Sequence, residues 1–161
     1  MRRIGSITAF FGASDVFSNW HPSGFTFHEV TFNCVEQFMM YAKAMLFDDH
    51  VSAEAILRST SPREQKRLGR EVCGFDEGRW REAREKIMFV GCREKFRQNE
   101  SFATALRATG TSLLVEASPY DRIWGAGLGE HDPRIADPSA WLGLNLLGIA
   151  LMRVRDGLSR S

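Results

Sequence analysis

The chain has 161 residues, of which 43% are hydrophobic and 25% charged, with a formal net charge of +1. That is the length of one domain with a sizeable core; so even a balance gives no whole-molecule electrostatic case for nucleic acid, although residues 61–107 lean basic. Three widely spaced cysteines with no C-x-x-C pair, Cys34, Cys73 and Cys92, imply reduced thiols in a reducing compartment.

In chain order, Met1-Arg2-Arg3 is followed by an apolar run that Ser6 and Thr8 interrupt, too short for a signal peptide or a membrane span. The expected location is the cytoplasm. Ile7–Phe11 and Phe25–Phe32 read as short strands, the second alternating imperfectly through Phe25, Phe27, Glu29 and Val30. A helix follows from about Cys34. With Val35 as origin, Phe38, Met39, Ala42, Met45 and Leu46 fall within about 80° and form a core stripe. Glu36, Met40, Lys43 and Phe47 form a second row about 100° away, on the flank of that core.

Glu36 and Lys43 lie seven residues apart, which brings them to one face, roughly 10 Å apart along the axis. That is too far for a helix-surface ion pair, which needs a spacing of three or four, and suits two groups that reach toward one bound molecule. Asn33-Cys34-Val35-Glu36 also fits a capping box, with Asn33 as N-cap and Glu36 reaching back to its N–H. Lys43 also fits a side chain snorkelling from the core boundary. The chain strongly prefers arginine, with lysine only at 43, 66, 86 and 95. A lysine on this helix points to a role that guanidinium cannot fill, because only lysine can lose its proton and attack.

Ser61-Pro62-Arg63-Glu64 carries a capping box and a proline at the first helical position, so a helix starts there and ends by Gly74. A longer helix runs from about Glu77 to Gln98, with Trp80, Ala83, Ile87, Val90, Cys92 and Phe96 on its apolar side. Ser101–Ala108 is a shorter helix stopped by Gly110, and Ser112–Ala117 is a buried strand. Asp137-Pro138 is read as the cap of a last helix holding Trp141, Leu144, Leu147, Leu151 and Val154. Gly143 and Gly148 within it imply close packing or ligand approach. No linker or repeat divides the chain. The expected fold is α+β: a single compact, predominantly helical domain over residues 1–161, with a small β-sheet.

Three more groups of residues could carry chemistry. Phe17-Ser18-Asn19-Trp20 puts a polar pair between aromatics, where Asn19 either hydrogen-bonds a base or sugar or closes an Asx-turn. Trp124 precedes Gly125-x-Gly127-x-Gly129, a stacking surface beside a backbone that ligands can approach, without the dinucleotide-binding spacing. Trp80 has Arg79, Arg81 and Arg84 beside it, a pattern that stacks a base and holds a phosphate, or else leaves Trp80 in the core. His21, His28, His50 and His131 have no metal-ligand spacing with the cysteines, so no metal is expected. Nothing in the sequence brings Cys34 and His28 together as a thiol nucleophile pair.

Taken in order, Phe17-Ser18-Asn19-Trp20, Val35-Glu36-Gln37 with Lys43, Ser61-Pro62, Trp80, Met88 and Lys95-Phe96 follow one pattern. Leu114-Val115-Glu116, Trp124-Gly125-Ala126-Gly127-Leu128 and Asn145-Leu146-Leu147-Gly148 with Leu151, Met152 and Arg155 complete it. The chain resembles the NADAR (YbiA-like) family over about residues 9–155. The resemblance implies N-glycosidase activity without a cofactor, on ribosylamino intermediates of riboflavin biosynthesis or on ADP-ribosylated guanine in nucleic acid. It implies catalytic roles for Glu36 and Lys43. Substrate contacts are expected from Ser18, Asn19, Trp20, Trp80, Asp121, Trp124, Gly125 and Gly127. Some members carry an acid where this chain has Ala126, so that role would fall to Asp121, Glu130 or Asp132, or be absent. The competing reading is a nucleotide- or ADP-ribose-binding module without turnover.

Overall fold

The aromatic-rich start of the chain forms strands, and most regular structure after residue 34 is helical, in the computed structural model, which describes residues 1–158. The elements are β1 (Arg2–Ile4), β2 (Ile7–Phe10), β3 (Phe25–Phe27), β4 (Val30–Phe32), α1 (Val35–Leu46), α2 (His50–Arg58) and α3 (Pro62–Arg70). Then come α4 (Glu77–Gln98), α5 (Glu100–Arg107), β5 (Leu113–Glu116), two 3-10 turns at Pro133–Ala136 and Pro138–Ala140, and α6 (Leu146–Leu158). Helices clearly outweigh strands, so the class is α+β as expected. The chain packs as two compact units, one made of Met1–His21 with the chain from Asn99 onward, the other of Pro22–Gln98.

In the first unit, β2 is the middle of a three-stranded sheet. It pairs antiparallel with β1 and parallel with β5, in the register Ile7↔Leu113 to Phe10↔Glu116. All four β2 side chains are buried, and Ile7 and Ala9 join Val115, Ala117, Ala126, Leu128 and Ile135 in one apolar cluster. α6 packs on β5 and α5. Asn145, at φ +51, accepts from the Glu116 N–H and donates to the Leu114 carbonyl, tying the approach to α6 to the edge of β5.

The expected helix start at Asp137-Pro138 is a 3-10 turn capped by Asp137, whose Oδ1 accepts from the Ser139 N–H. α6 begins later, at Leu146. The glycines explain the delay. A Cβ on Gly143 would lie 2.3 Å from the Gly125 carbonyl, so this stretch is backbone packed on backbone. Gly148 stands inside α6, where a Cβ would lie 2.2 Å from the Leu114 carbonyl; the lack of one lets the helix close on the strand.

In the second unit α1 is central, packing against α2, α3 and α4. The single strand expected over Phe25–Phe32 is a hairpin. His28 and Glu29 sit at φ +45 and +66, the two left-handed positions of a tight turn, which explains why the alternation fails at Glu29. Phe25, Phe27 and Phe32 close around the Phe38 ring, with centroids 5.1–5.9 Å apart.

α4 has the expected bounds, and Trp80, Cys92 and Phe96 of its expected apolar side are buried, but Ala83, Ile87 and Val90 are only half-buried. Trp80, Arg84, Met88, Gly91 and Lys95 form the buried stripe. Ile87 and Val90 instead line an apolar groove of 490 Å³ with Phe27, Tyr41, Ala42 and Met45. Hydrophobicity alone misplaces the stripe because two of its members are cations. Gly91 marks where α4 meets α1: a Cβ there would lie 2.7 Å from Phe38 Cδ1 and 3.3 Å from Val35 Cγ1. Gly91→Ala is therefore expected to destabilise the protein by about 1–3 kcal/mol through overpacking, despite alanine's better helix propensity. Urea unfolding of the two forms measures this.

Candidate functional site

The position of Glu36 depends on how α1 starts. Cys34 is the N-cap, not Asn33, and Gln37 makes the reach-back bond expected of Glu36: its Oε1 accepts from the Asn33 N–H at 2.7 Å. The Gln37 amide also donates to the carbonyls of Ile56, Leu57 and Ser59 at the end of α2. Gln65 of α3 closes the knot, donating to Asn33 Oδ1 and the Ser59 carbonyl and accepting from the Cys34 thiol. The Asn33 N–H is thus met by Gln37 in place of Glu36. The Glu36 carboxylate is buried, with 6% exposure, in the first turn of the helix, where the dipole favours negative charge.

Burial pushes the Cys34 thiol up to about 11; the Glu36 carboxylate also raises it and the Lys95 ammonium lowers it. Glu36 and Lys95 thus both act on the start of α1. A buried thiol held in this state is a poor nucleophile, which closes the Cys34–His28 alternative.

Two turns further on, Lys43 Nζ donates to the Gly69 carbonyl at 2.6 Å, one of the last-turn carbonyls of α3 that have no partner within the helix. The Phe75 ring lies 4.3 Å from Nζ and the Trp80 ring 5.6 Å. Phe47 packs on Phe75 with centroids 5.4 Å apart. Burial pulls the Lys43 pKa below its ordinary value of 10.5; Glu77 opposes this and Arg70 adds to it. The row Glu36–Met40–Lys43–Phe47, read from sequence as a flank, faces α3 closely: a Cβ on Gly69 would lie 2.0 Å from Met40 Sδ. Trp80 is buried beside the lysine, so the structure brings together Lys43 and Trp80, with Phe75, which sequence reasoning did not single out. Arg84, read from sequence as a neighbour of Trp80, is buried, and so are Glu94 and Lys95, which sequence reasoning did not weigh as site residues; their signal was a charged residue at positions in step with Trp80, Met88 and Gly91.

The other candidates belong to the first unit. Ser18 Oγ accepts from the Trp20 N–H at 3.1 Å, and Asp15 Oδ1 from the Phe17 N–H, so Ser18 and Asp15 shape this loop. Asn19 is buried and Trp20 half-buried. Asp121 Oδ1 accepts from the N–H groups of Ile123 and Trp124, fixing the turn that presents the half-buried Trp124. Gly125 and Gly127 answer to the protein's own backbone. A Cβ on Gly125 would lie 2.9 Å from the Glu116 carbonyl, and Gly127 has φ +69. Ala126 is fully buried in the apolar cluster. The three acids considered in its place have local partners. Asp132 holds Arg134, whose guanidinium keeps the carboxyl below its usual range; Glu130 pairs with His131, and Asp121 holds its turn. Among the described residues, no group of three or more His, Cys, Asp or Glu side chains is arranged to hold a metal ion. No helix among them is long and apolar enough to cross a membrane.

Comparison with known proteins decides the family. The NADAR domain model matches residues 9–159, spanning both units. The chain belongs to the NADAR family. It is 41% identical to Protein irg-1 of Caenorhabditis elegans, over 92% of this chain and 78% of that protein. It is 36% identical to N-glycosidase R617 of Acanthamoeba polyphaga mimivirus, over 88% of this chain and 86% of that one. The NMR structure of Escherichia coli YbiA superposes with a TM-score of 0.78 at 29% identity, covering 96% of this chain and 85% of YbiA.

The position of Glu36 is predicted to depend on its neighbour. Gln37→Leu removes the partner of the Asn33 N–H and a donor shared by three carbonyls, and is expected to cost about 1–3 kcal/mol in urea unfolding.

Proposed function

We propose that this NADAR-domain protein is an N-glycosidase that cleaves the bond between a ribosyl carbon and a base nitrogen. The substrate is a ribosylated base bearing phosphate, either a phosphoribosyl aminopyrimidine of riboflavin synthesis or an ADP-ribosylated guanine in nucleic acid. The observation that carries this reading is Lys43: an amine whose pKa burial lowers, held against Phe75 and Trp80 in the same helical row as a buried carboxylate. A simple binding module has no need of such an amine.

In this mechanism the neutral Lys43 amine attacks the anomeric carbon while the bond to the base breaks. The bonding electrons leave on the base nitrogen, which takes up a proton. Positive charge builds on the sugar as this happens, and the Glu36 carboxylate stabilises it and accepts the proton that the amine releases. Opening of the sugar ring gives a Schiff base at Lys43 Nζ. Water then adds to the same carbon and frees the amine, so the net reaction consumes one water. Trp80 contributes an aromatic face for the leaving base. In the first unit, Asp121, Gly125 and Gly127 act by holding the Trp124 turn in shape.

Incubation with ribosylaminopyrimidine phosphates and with ADP-ribosylated oligonucleotides, followed by detection of released base, separates the two substrates. Release from neither favours the binding module. Lys43→Arg is expected to abolish turnover, because arginine stays protonated, and borohydride is expected to trap a sugar adduct on the unmodified protein alone. An active Lys43→Arg form with no trapped adduct would leave Glu36 acting on water. Glu36→Gln is expected to slow turnover with little change in stability, since Gln37 makes the cap bond.

The pH profile follows from the same amine. The neutral fraction grows with pH, so kcat/KM is expected to rise and level off with a midpoint below 10.5, the ordinary lysine value. Between the folded and unfolded pKa values the unfolded chain binds more protons at this lysine, so its contribution to stability rises with pH through that window. A flat kcat/KM profile up to pH 10.5 would contradict a titrating nucleophile.

A further inference from the structure

Arg84 stands one helical turn beyond Trp80 in the buried stripe of α4, with 8% exposure. Its Nε is sealed from solvent and makes no hydrogen bond, and no carboxylate pairs with its guanidinium among the described residues. Other arginines of this chain are treated differently. Arg155, equally buried, donates to Thr109 Oγ1 and to the Ser112 carbonyl, and Arg67 lies between Glu64 and Glu71. A guanidinium stays charged at any working pH, so burying one without a counter-charge works against folding. An apolar side chain would pack this stripe better. The residue makes physical sense when an anion completes it.

The packing of α4 on α1 indicates which anion. Gly91 meets Val35 and Phe38 near the start of α1, and Trp80 meets Lys43 near its end, so the two helices run antiparallel. Arg84 lies between Trp80 and Gly91 on the stripe, at the level of the stretch of α1 that joins Glu36 to Lys43. A planar fork of N–H donors suits a phosphoryl group, which it can engage with two parallel bonds. We propose that Arg84 binds a phosphoryl group of the ribosylated substrate and thereby seats its sugar over the Glu36–Lys43 row. This assignment rests on the N-glycosidase reading for its ligand.

The test uses the full chain, with ribose 5-phosphate, ADP-ribose, inorganic phosphate and plain ribose as probes in thermal unfolding. Phosphate-bearing sugars are expected to raise Tm where ribose does not. A larger effect of ribose 5-phosphate indicates a terminal monoester, and a larger effect of ADP-ribose a diphosphate. Arg84→Met is expected to erase that shift while raising the Tm of the ligand-free protein, because an uncompensated buried charge is gone. Arg84→Lys is expected to keep part of the shift. With a substrate that is turned over, Arg84→Met should raise KM by about tenfold or more, with kcat moving far less. An Arg84→Met protein that binds the phosphorylated sugars as tightly as the unmodified form overturns the assignment. So does one whose ligand-free Tm falls while Arg84→Lys restores it without ligand, which would mark a structural role. Should no base be released from any substrate while ribose 5-phosphate still stabilises the unmodified protein and not Arg84→Met, the glycosidase reading fails and the phosphate site stands.

Discussion

The side-chain amide of Gln37 sets the geometry on which the second unit depends. One oxygen and one nitrogen join the chain before α1 to three carbonyls at the end of α2, and Gln65 adds α3 to the same knot. Buried polar networks of this kind stabilise little beyond what their desolvation costs, but they punish any other arrangement. The register of α1 is thereby fixed, and with it the direction in which the neighbouring position 36 points. Because an uncharged residue does the capping, the charged one beside it is relieved of that bond.

Lys43 is under two opposed influences. The last-turn carbonyl of α3 and the faces of the Phe75 and Trp80 rings attract an ammonium, whereas burial disfavours the charged form. A lysine placed only as a helix cap would be better left in water. One placed only as a nucleophile would need something to hold it between turnovers, and the Gly69 carbonyl meets that need at 2.6 Å. In the proposed mechanism the same bond breaks when the amine attacks, so the end of α3 would lose a cap in the covalent state.

Much of this is legible in the sequence, and the failures share a cause. α4 is readable to its end residues because its 22 residues run rich in helix formers and without a proline. Part of its buried face is not, because Arg84 and Lys95 are buried cations, which a hydrophobicity pattern assigns to the surface. The hairpin at His28–Glu29 reads as one strand because neither residue is the glycine or asparagine that usually marks two left-handed positions. At Asp137-Pro138 the cap is real and the helix is not: local capping chemistry starts a turn, while the packing of Gly143 on the Gly125 carbonyl decides that it cannot continue. The shared face of Glu36 and Lys43 is an expectation of spacing alone. The partners of Lys43, Gly69 and Phe75 among them, come from other elements and leave no local mark.

The parallel pairing of β2 with β5 also bears on how the chain comes to be folded. The second unit is one continuous stretch, whereas the first is built from two segments that flank it in the sequence. Local contacts form quickly, and distant parallel strands pair slowly. On the ribosome, Ile7–Phe10 is made long before Leu113–Glu116 exists, so a strand buried along its whole length in the native state waits with one edge open to mispairing. β1 covers the other edge at once through the turn at Gly5, φ +56, and brings two consecutive arginines, Arg2 and Arg3, to the strand beside it. Positive charge next to an unfinished apolar strand discourages association with other chains.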